Sequence, residues 1–207
     1  MEIRELKVGD AYEVVPKILG DSRGAFLEWF RADRLEEATG RRLELVQANA
    51  SISSAGALRG VHFAEVPPSQ AKFVTCPRGA LLDVVVDVRV GSPTFGAWDA
   101  VLLDDVERRA LFVSEGLGHA FIALEDDTMI SYLVTAPYTP AREHGVHPLD
   151  PTLGIEWPTT GRDGRPLEPL LSTKDTEAPS LEEAERQGLL PSYDAAQRFL
   201  DSLRTGR

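Results

Sequence analysis

QANASISSAGALRGVHFAEVPPSQAK, residues 47–72, opens with strict alternation: Gln47, Asn49, Ser51 and Ser53 fall on one side of a strand, Ala48, Ala50 and Ile52 on the other. A half-buried strand ordinarily sends polar side chains to water and larger apolar ones to the core. Alanine fills a core poorly, so here the amide-and-hydroxyl side is expected to line an enclosed pocket. A turn at 54–56 follows, and then Arg59, Gly60, His62, Pro67, Pro68, Gln70 and Lys72. Two cations and one titratable base within a few strand residues, beside a row of hydrogen-bonding groups, suit a polyanionic ligand held next to a proton acceptor.

On either side of this stretch the chain reads as short strands. Residues 71–76, 80–90, 98–103, 110–114, 120–124 and 128–135 are apolar runs separated by turn signals such as Pro77-Arg78-Gly79, Gly91-Ser92-Pro93 and Asp126-Asp127. Residues 12–18 and 25–30 are extended segments around a turn at 20–24, and residues 32–39 form a short helix ended by Gly40. From Pro137 the strand pattern lapses into Pro- and Gly-rich loops, and helical patches at 181–187 and 193–203 close the chain. Evenly spaced strands without intervening helices predict an all-β sandwich or barrel of jelly-roll type. No repeat or linker divides it, so residues 1–207 are read as one domain whose helical tail begins near residue 178.

The net charge of −11, with no basic block of five or more residues, argues against nucleic acid and anionic membranes as partners. An anionic ligand is then confined to a local basic pocket. The single cysteine, Cys76, lies in an apolar run and reads as a small buried hydrophobe; it allows no internal disulfide and fits a reducing compartment. MEIRELKVGD has no apolar h-region and no run reaches membrane-spanning length, so a cytoplasmic location without membrane attachment is expected.

Within the pocket, Arg59 and Lys72 would be costly to enclose without an anion, and cations beside an imidazole favour its neutral, basic form. A base also needs an orienting carboxylate. Asp175, in a loop with no other explanation, is the candidate. Tyr132, in an apolar strand, is either a core aromatic or a general acid facing His62, and His119, where a glycine-rich turn enters a strand, is either a ligand donor or structural. His144 and His147 read as surface or packing residues. Metal-binding barrels usually offer closely spaced histidines with a carboxylate; His62 has no such partner, and Arg59 and Lys72 would repel a cation, so no metal is expected.

Residues 47–72, 83–89 with Gly91-Ser92-Pro93-Thr94-Phe95-Gly96, Gly118-His119-Ala120-Phe121 and 171–175 together resemble the dTDP-4-dehydrorhamnose 3,5-epimerases, over nearly the whole chain. The resemblance implies a double-stranded β-helix jelly roll of cupin-like form, a homodimer exchanging N-terminal strands within residues 1–30, and no metal or organic cofactor. It implies dTDP-4-dehydro-6-deoxy-D-glucose as substrate and dTDP-4-dehydro-L-rhamnose as product. By position His62 matches the family's base, Asp175 its orienting carboxylate, Tyr132 its acid, and Lys72 the lysine near the C4 oxygen. Arg59, Gln47, Asn49 and Ser51 match residues holding diphosphate and sugar. Arg23, Phe26 and Glu28 match nucleotide contacts from the partner subunit, and Tyr138 an aromatic near the nucleotide. One departure is Gly118-His119-Ala120-Phe121, where many members read Ala-His-Gly-Phe; a slight backbone adjustment is expected. Two other readings stand beside this one: a monoepimerase acting at C3 or C5 only, and a non-catalytic nucleotide-sugar-binding jelly roll.

Overall fold

A computed structural model describes residues 1–205. In chain order its strands are β1 (Glu2–Glu5), β2 (Ala11–Val15), β3 (Ile18–Asp21), β4 (Gly24–Leu27), β5 (Gln47–Ser53), β6 (Leu58–Ala64), β7 (Lys72–Arg78), β8 (Ala80–Val86), β9 (Trp98–Asp104), β10 (Ala110–Val113), β11 (Gly118–Ala123), β12 (Thr128–Val134) and β13 (Glu143–Gly145). The helices are α1 (Ala32–Thr39), α2 (Thr173–Thr176), α3 (Leu181–Arg186) and α4 (Tyr193–Thr205). One sheet runs β1-β2-β10-β7-β12-β5, a second runs β13-β6-β11-β8-β9, and β3-β4 is a separate hairpin. The two large sheets face each other as a cupin-like jelly roll.

Alternation along the strands divides three apolar layers. Val74, Cys76, Leu81, Val85, Leu111, Val113, Phe121 and Ile130 meet between the sheets. Phe73, Phe112 and Val14 point out of the first sheet onto Leu35 of α1, while Val61, Phe63, Val84, Val86 and Ala120 point out of the second onto Leu153, Leu181 and Ala184. Odd-numbered positions of β8 and β11 and even-numbered positions of β7 and β12 therefore share the interior, which positions Asp83, His119, Lys72 and Tyr132 together.

Helix α1 occupies the residues its sequence predicts, and Gly40 ends it in the left-handed region at φ 71°. Three extended runs end earlier than their composition predicts, and one of them, residues 25–30, leaves the strand after Leu27. Residues 12–18 break after Val15, where Pro16 lacks the N–H a ladder needs. Residues 80–90 leave the strand at Val86, because buried Arg89 is drawn into ion pairs with Asp87 (2.9 Å) and Asp10 (2.7 Å). β1, β13 and α2 are too short to show a period and lie where no element is expected.

The exchanged small residues near His119 have a steric account. Gly60 sits at φ +127°, and a Cβ there would stand 2.4 Å from the Ala120 Cβ; one at Gly118 would stand 2.6 Å from Val61 Cγ1. β6 and β11 thus approach so closely that residues 60 and 118 are held to glycine while residue 120 carries a methyl. The pairing opposes His119 to His62 and then shifts register before Phe121.

Candidate active site

The open end of the roll holds a cavity of about 550 Å³. On β5 the polar row faces it: Gln47, Asn49 and Ser51 line the cavity, with Gln47 Nε2 donating to Asn49 Oδ1 at 2.7 Å. Ala48, Ala50 and Ile52 point outward and are exposed. Arg59 and His62 of β6, Lys72 of β7, His119 of β11, Tyr132 of β12 and the rim residue Tyr138 line it as well. β6 and β12 belong to opposite sheets, so His62 and Tyr132 stand on facing walls.

His62 Nε2 lies 2.6 Å from Asp175 Oδ1. An ionised carboxylate only accepts, so Nε2 carries the ring proton and Nδ1 is left as the basic nitrogen. Asp175 is itself held: Ser172 Oγ donates to its Oδ2 at 2.8 Å, and its backbone N–H donates back to Ser172 Oγ at 3.2 Å, closing the short turn of α2. Burial works to raise the Asp175 carboxyl, but the hydrogen bond and charge of His62, with Ser172 and Lys174, outweigh it and keep the group below its ordinary value. The dyad is therefore ionised on the acid side and basic on the other.

Burial likewise pulls the Lys72 ammonium below its ordinary value, against the opposing charges of Glu143 and Asp83. Burial pushes the Tyr132 phenol up, with Arg59 countering and Glu143 and Tyr138 assisting, so it stays protonated at neutral pH. A second buried pair lies beside the first, with His119 Nε2 2.6 Å from Asp83 Oδ1. Among the described residues Arg59, Lys72 and Lys174 make no ion pair, although all three line the cavity. Three unpaired cations converging on a pocket in a protein of net charge −11 mark an anion site.

Glu143, Lys174, Phe121 and Ile130 also line the cavity and are absent from the sequence-derived set. Lys174 adjoins Asp175 in a block already singled out, which was a usable signal. Glu143 lies in a Pro-rich loop without any. Arg23, Phe26 and Glu28 are not at this chain's own cavity: Arg23 pairs with Asp21 at 2.6 Å, Glu28 with Arg31 at 3.0 Å, and Phe26 is exposed on the β3-β4 hairpin. No three His, Cys, Asp or Glu side chains among the described residues cluster closely enough to hold a metal ion, and no helix there is long and apolar enough to cross a membrane.

A jelly-roll cup with a carboxylate-backed imidazole facing a phenol, flanked by unpaired cations, defines a proton-transfer site for an anionic ligand. The family model described as dTDP-4-dehydrorhamnose 3,5-epimerase matches residues 5–183. The chain is 55% identical over 204 residues to the dTDP-4-dehydrorhamnose 3,5-epimerase of Mycolicibacterium smegmatis, covering 99% of this chain and 98% of that one. It is 52% identical over 197 residues to a dTDP-4-dehydrorhamnose 3-epimerase of Streptomyces niveus, covering 95% and 92%. Among solved structures, the rmlC epimerase of Mycobacterium tuberculosis superposes with a TM-score of 0.93 at 51% identity, over 99% of this chain and 100% of that one. The chain belongs to the dTDP-4-dehydrorhamnose 3,5-epimerase family.

Proposed function

We propose that the protein epimerises dTDP-4-dehydro-6-deoxy-D-glucose at C3 and C5, giving dTDP-4-dehydro-L-rhamnose. The observation that carries this reading is the His62–Asp175 pair, which faces Tyr132 and Lys72 inside one cavity. Both carbons flank the C4 ketone, so loss of either proton leaves an enolate with its charge on O4. His62 Nδ1 takes the proton, and Asp175 stabilises the imidazolium that forms. Lys72 meets the negative charge developing on O4. Tyr132 delivers its proton to the opposite face of the same carbon, the C–O double bond re-forms, and the centre is inverted. Exchange with solvent resets both groups.

Arg59 and Lys174 are assigned to the diphosphate, and Gln47, Asn49, Ser51 and His119 to sugar and linker oxygens. Tyr138 and Glu143 sit at the rim, where the nucleotide would lie. Binding energy gained there, away from the reacting carbons, positions the ketone between base and acid.

The test is incubation with the proposed substrate in D₂O, followed by NMR. Label at both C3 and C5 is expected. Label at one carbon alone supports the narrower reading, favoured by the relative named as a 3-epimerase, and no label removes catalysis at this ketone altogether.

The same reading includes a homodimer in which the β3-β4 hairpin crosses to the partner and brings Arg23, Phe26 and Glu28 to its nucleotide site. The hairpin pairs with neither large sheet and exposes Ile18, Leu19 and Phe26. A largely apolar hollow of about 520 Å³ lies over Ala48, Ala50, Thr75 and Leu133 on the outer face of the first sheet. β1 pairs with β2, and β2 with β10, of the same chain, and the reading assigns the exchange to the hairpin. Burying one large apolar side chain contributes about 1.5–3 kcal/mol. Light scattering is expected to give a dimer for the wild type and a shift to monomer for Phe26→Asp; a monomeric wild type removes the exchange.

A further inference from the structure

We propose that Asp83, set between His119 and Lys72 in the wall of the cup, is a positioning residue that fixes which ring nitrogen His119 presents to the sugar and keeps Lys72 in its charged form. This rests on the reading of Lys72 as the group that meets O4.

Asp83 is fully buried on β8, and the His62–Asp175 chemistry makes no use of it. Its Oδ1 accepts from His119 Nε2, so the neutral His119 ring offers Nδ1 as an acceptor for a sugar hydroxyl. Its Oδ2 is buried without any hydrogen-bond partner, one of three such side-chain atoms among the described residues, with Ser53 Oγ and Arg109 Nε. A carboxylate oxygen in that position needs a compensating charge. Lys72, reaching in from the opposite sheet, contributes to it at longer range than an ion pair, and its own charge faces Glu143 of β13 first and Asp83 second. The other groups around the cup are Arg59, His62, Tyr132, Tyr138 and Lys174.

The two His–Asp pairs differ in what holds the carboxylate. Asp175 has Ser172 and its own helical turn, which keep it ionised independently of the ligand. Burial instead holds the Asp83 carboxyl above its ordinary value, with His119, Lys72 and the Val84 amide only partly countering it. The ionisation of Asp83 therefore depends on His119 first and also on the ammonium of Lys72, and that ammonium depends on Glu143 first and also on Asp83. When an enolate forms on O4, it meets a cation already charged and already aimed.

Nitrogen-15 NMR of the ligand-free wild type is expected to place the His119 ring proton on Nε2. In Lys72→Met the carboxyl of Asp83 takes up a proton and donates it to Nε2, so the ring proton is expected to move to Nδ1. In Asp83→Asn the alkaline limb of the kcat profile is expected to move to lower pH, with dTDP affinity unchanged. An Nδ1 proton in the wild type, a His119 tautomer indifferent to Lys72→Met, or an unmoved alkaline limb each overturns the proposal. Should Asp83→Asn fail to fold, the wild-type and Lys72→Met spectra decide. Neither spectrum needs turnover, so they separate this proposal from the epimerase reading, which stands or falls on solvent deuterium entering the sugar.

Discussion

His62→Ala is expected to lower turnover by about 10²–10⁴-fold or to abolish it, and to remove solvent exchange at both carbons, while dTDP binds as before. The separation follows from the geometry. The base is the imidazole Nδ1, whereas the cations assigned to the diphosphate, Arg59 and Lys174, are supplied by β6 and α2 and do not depend on that ring. His62 is only partly buried and faces the cavity, so its truncation leaves no closed void. Its loss is still felt by Asp175, whose carboxyl it holds below the ordinary 3.8. A depressed carboxyl contributes stability that is present above the unfolded value and lost as pH falls through the folded one. The variant should therefore lose that contribution near neutral pH and show a flatter acid limb of stability. Wild-type-like label incorporation by His62→Ala would falsify the assignment of the base.

Asp175→Asn is expected to cost about 10²–10⁴-fold in kcat, with dTDP affinity nearly unchanged. Ser172 Oγ donates to Oδ2, so the carbonyl oxygen of an asparagine would settle there and its NH₂ would face His62 Nε2. That amide donates where the carboxylate accepted. The ring proton is then driven to Nδ1, the atom that must take up the C–H proton, so the shape of the site survives and its basicity does not. Steady-state kinetics with a parallel dTDP titration checks this. A variant within a few-fold of the wild-type kcat would mean that the orientation of His62 is set elsewhere.

Much of the site is legible in residues 47–72, because a strand's period of two is local. The alternation at 47–53 puts Gln47, Asn49 and Ser51 on the cavity side and leaves Ala48, Ala50 and Ile52 exposed, while Ser53 is buried beyond the cavity. Helix 32–39 was readable for the same reason, with Gly40 as its stop. Asp175 is reached only by elimination and by resemblance, since nothing local joins it to a histidine 113 residues away. Glu143 and α2 carry no local signal, because three- and four-residue elements have no period to read. Asp83 enters the sequence reading only as the start of the block 83–89 that carries the resemblance, and its partner His119 lies on another strand 36 residues away.

The order of residues alone determined which side of each strand is polar, where turns fall, and that cations and a base share one short stretch, since backbone sterics and side-chain periodicity act over a few residues. Only the closure of two sheets over one another decided which carboxylate backs which imidazole and which cations go unpaired. Those relations depend on through-space distances of a few ångströms between strands far apart in the chain, and no local preference encodes them.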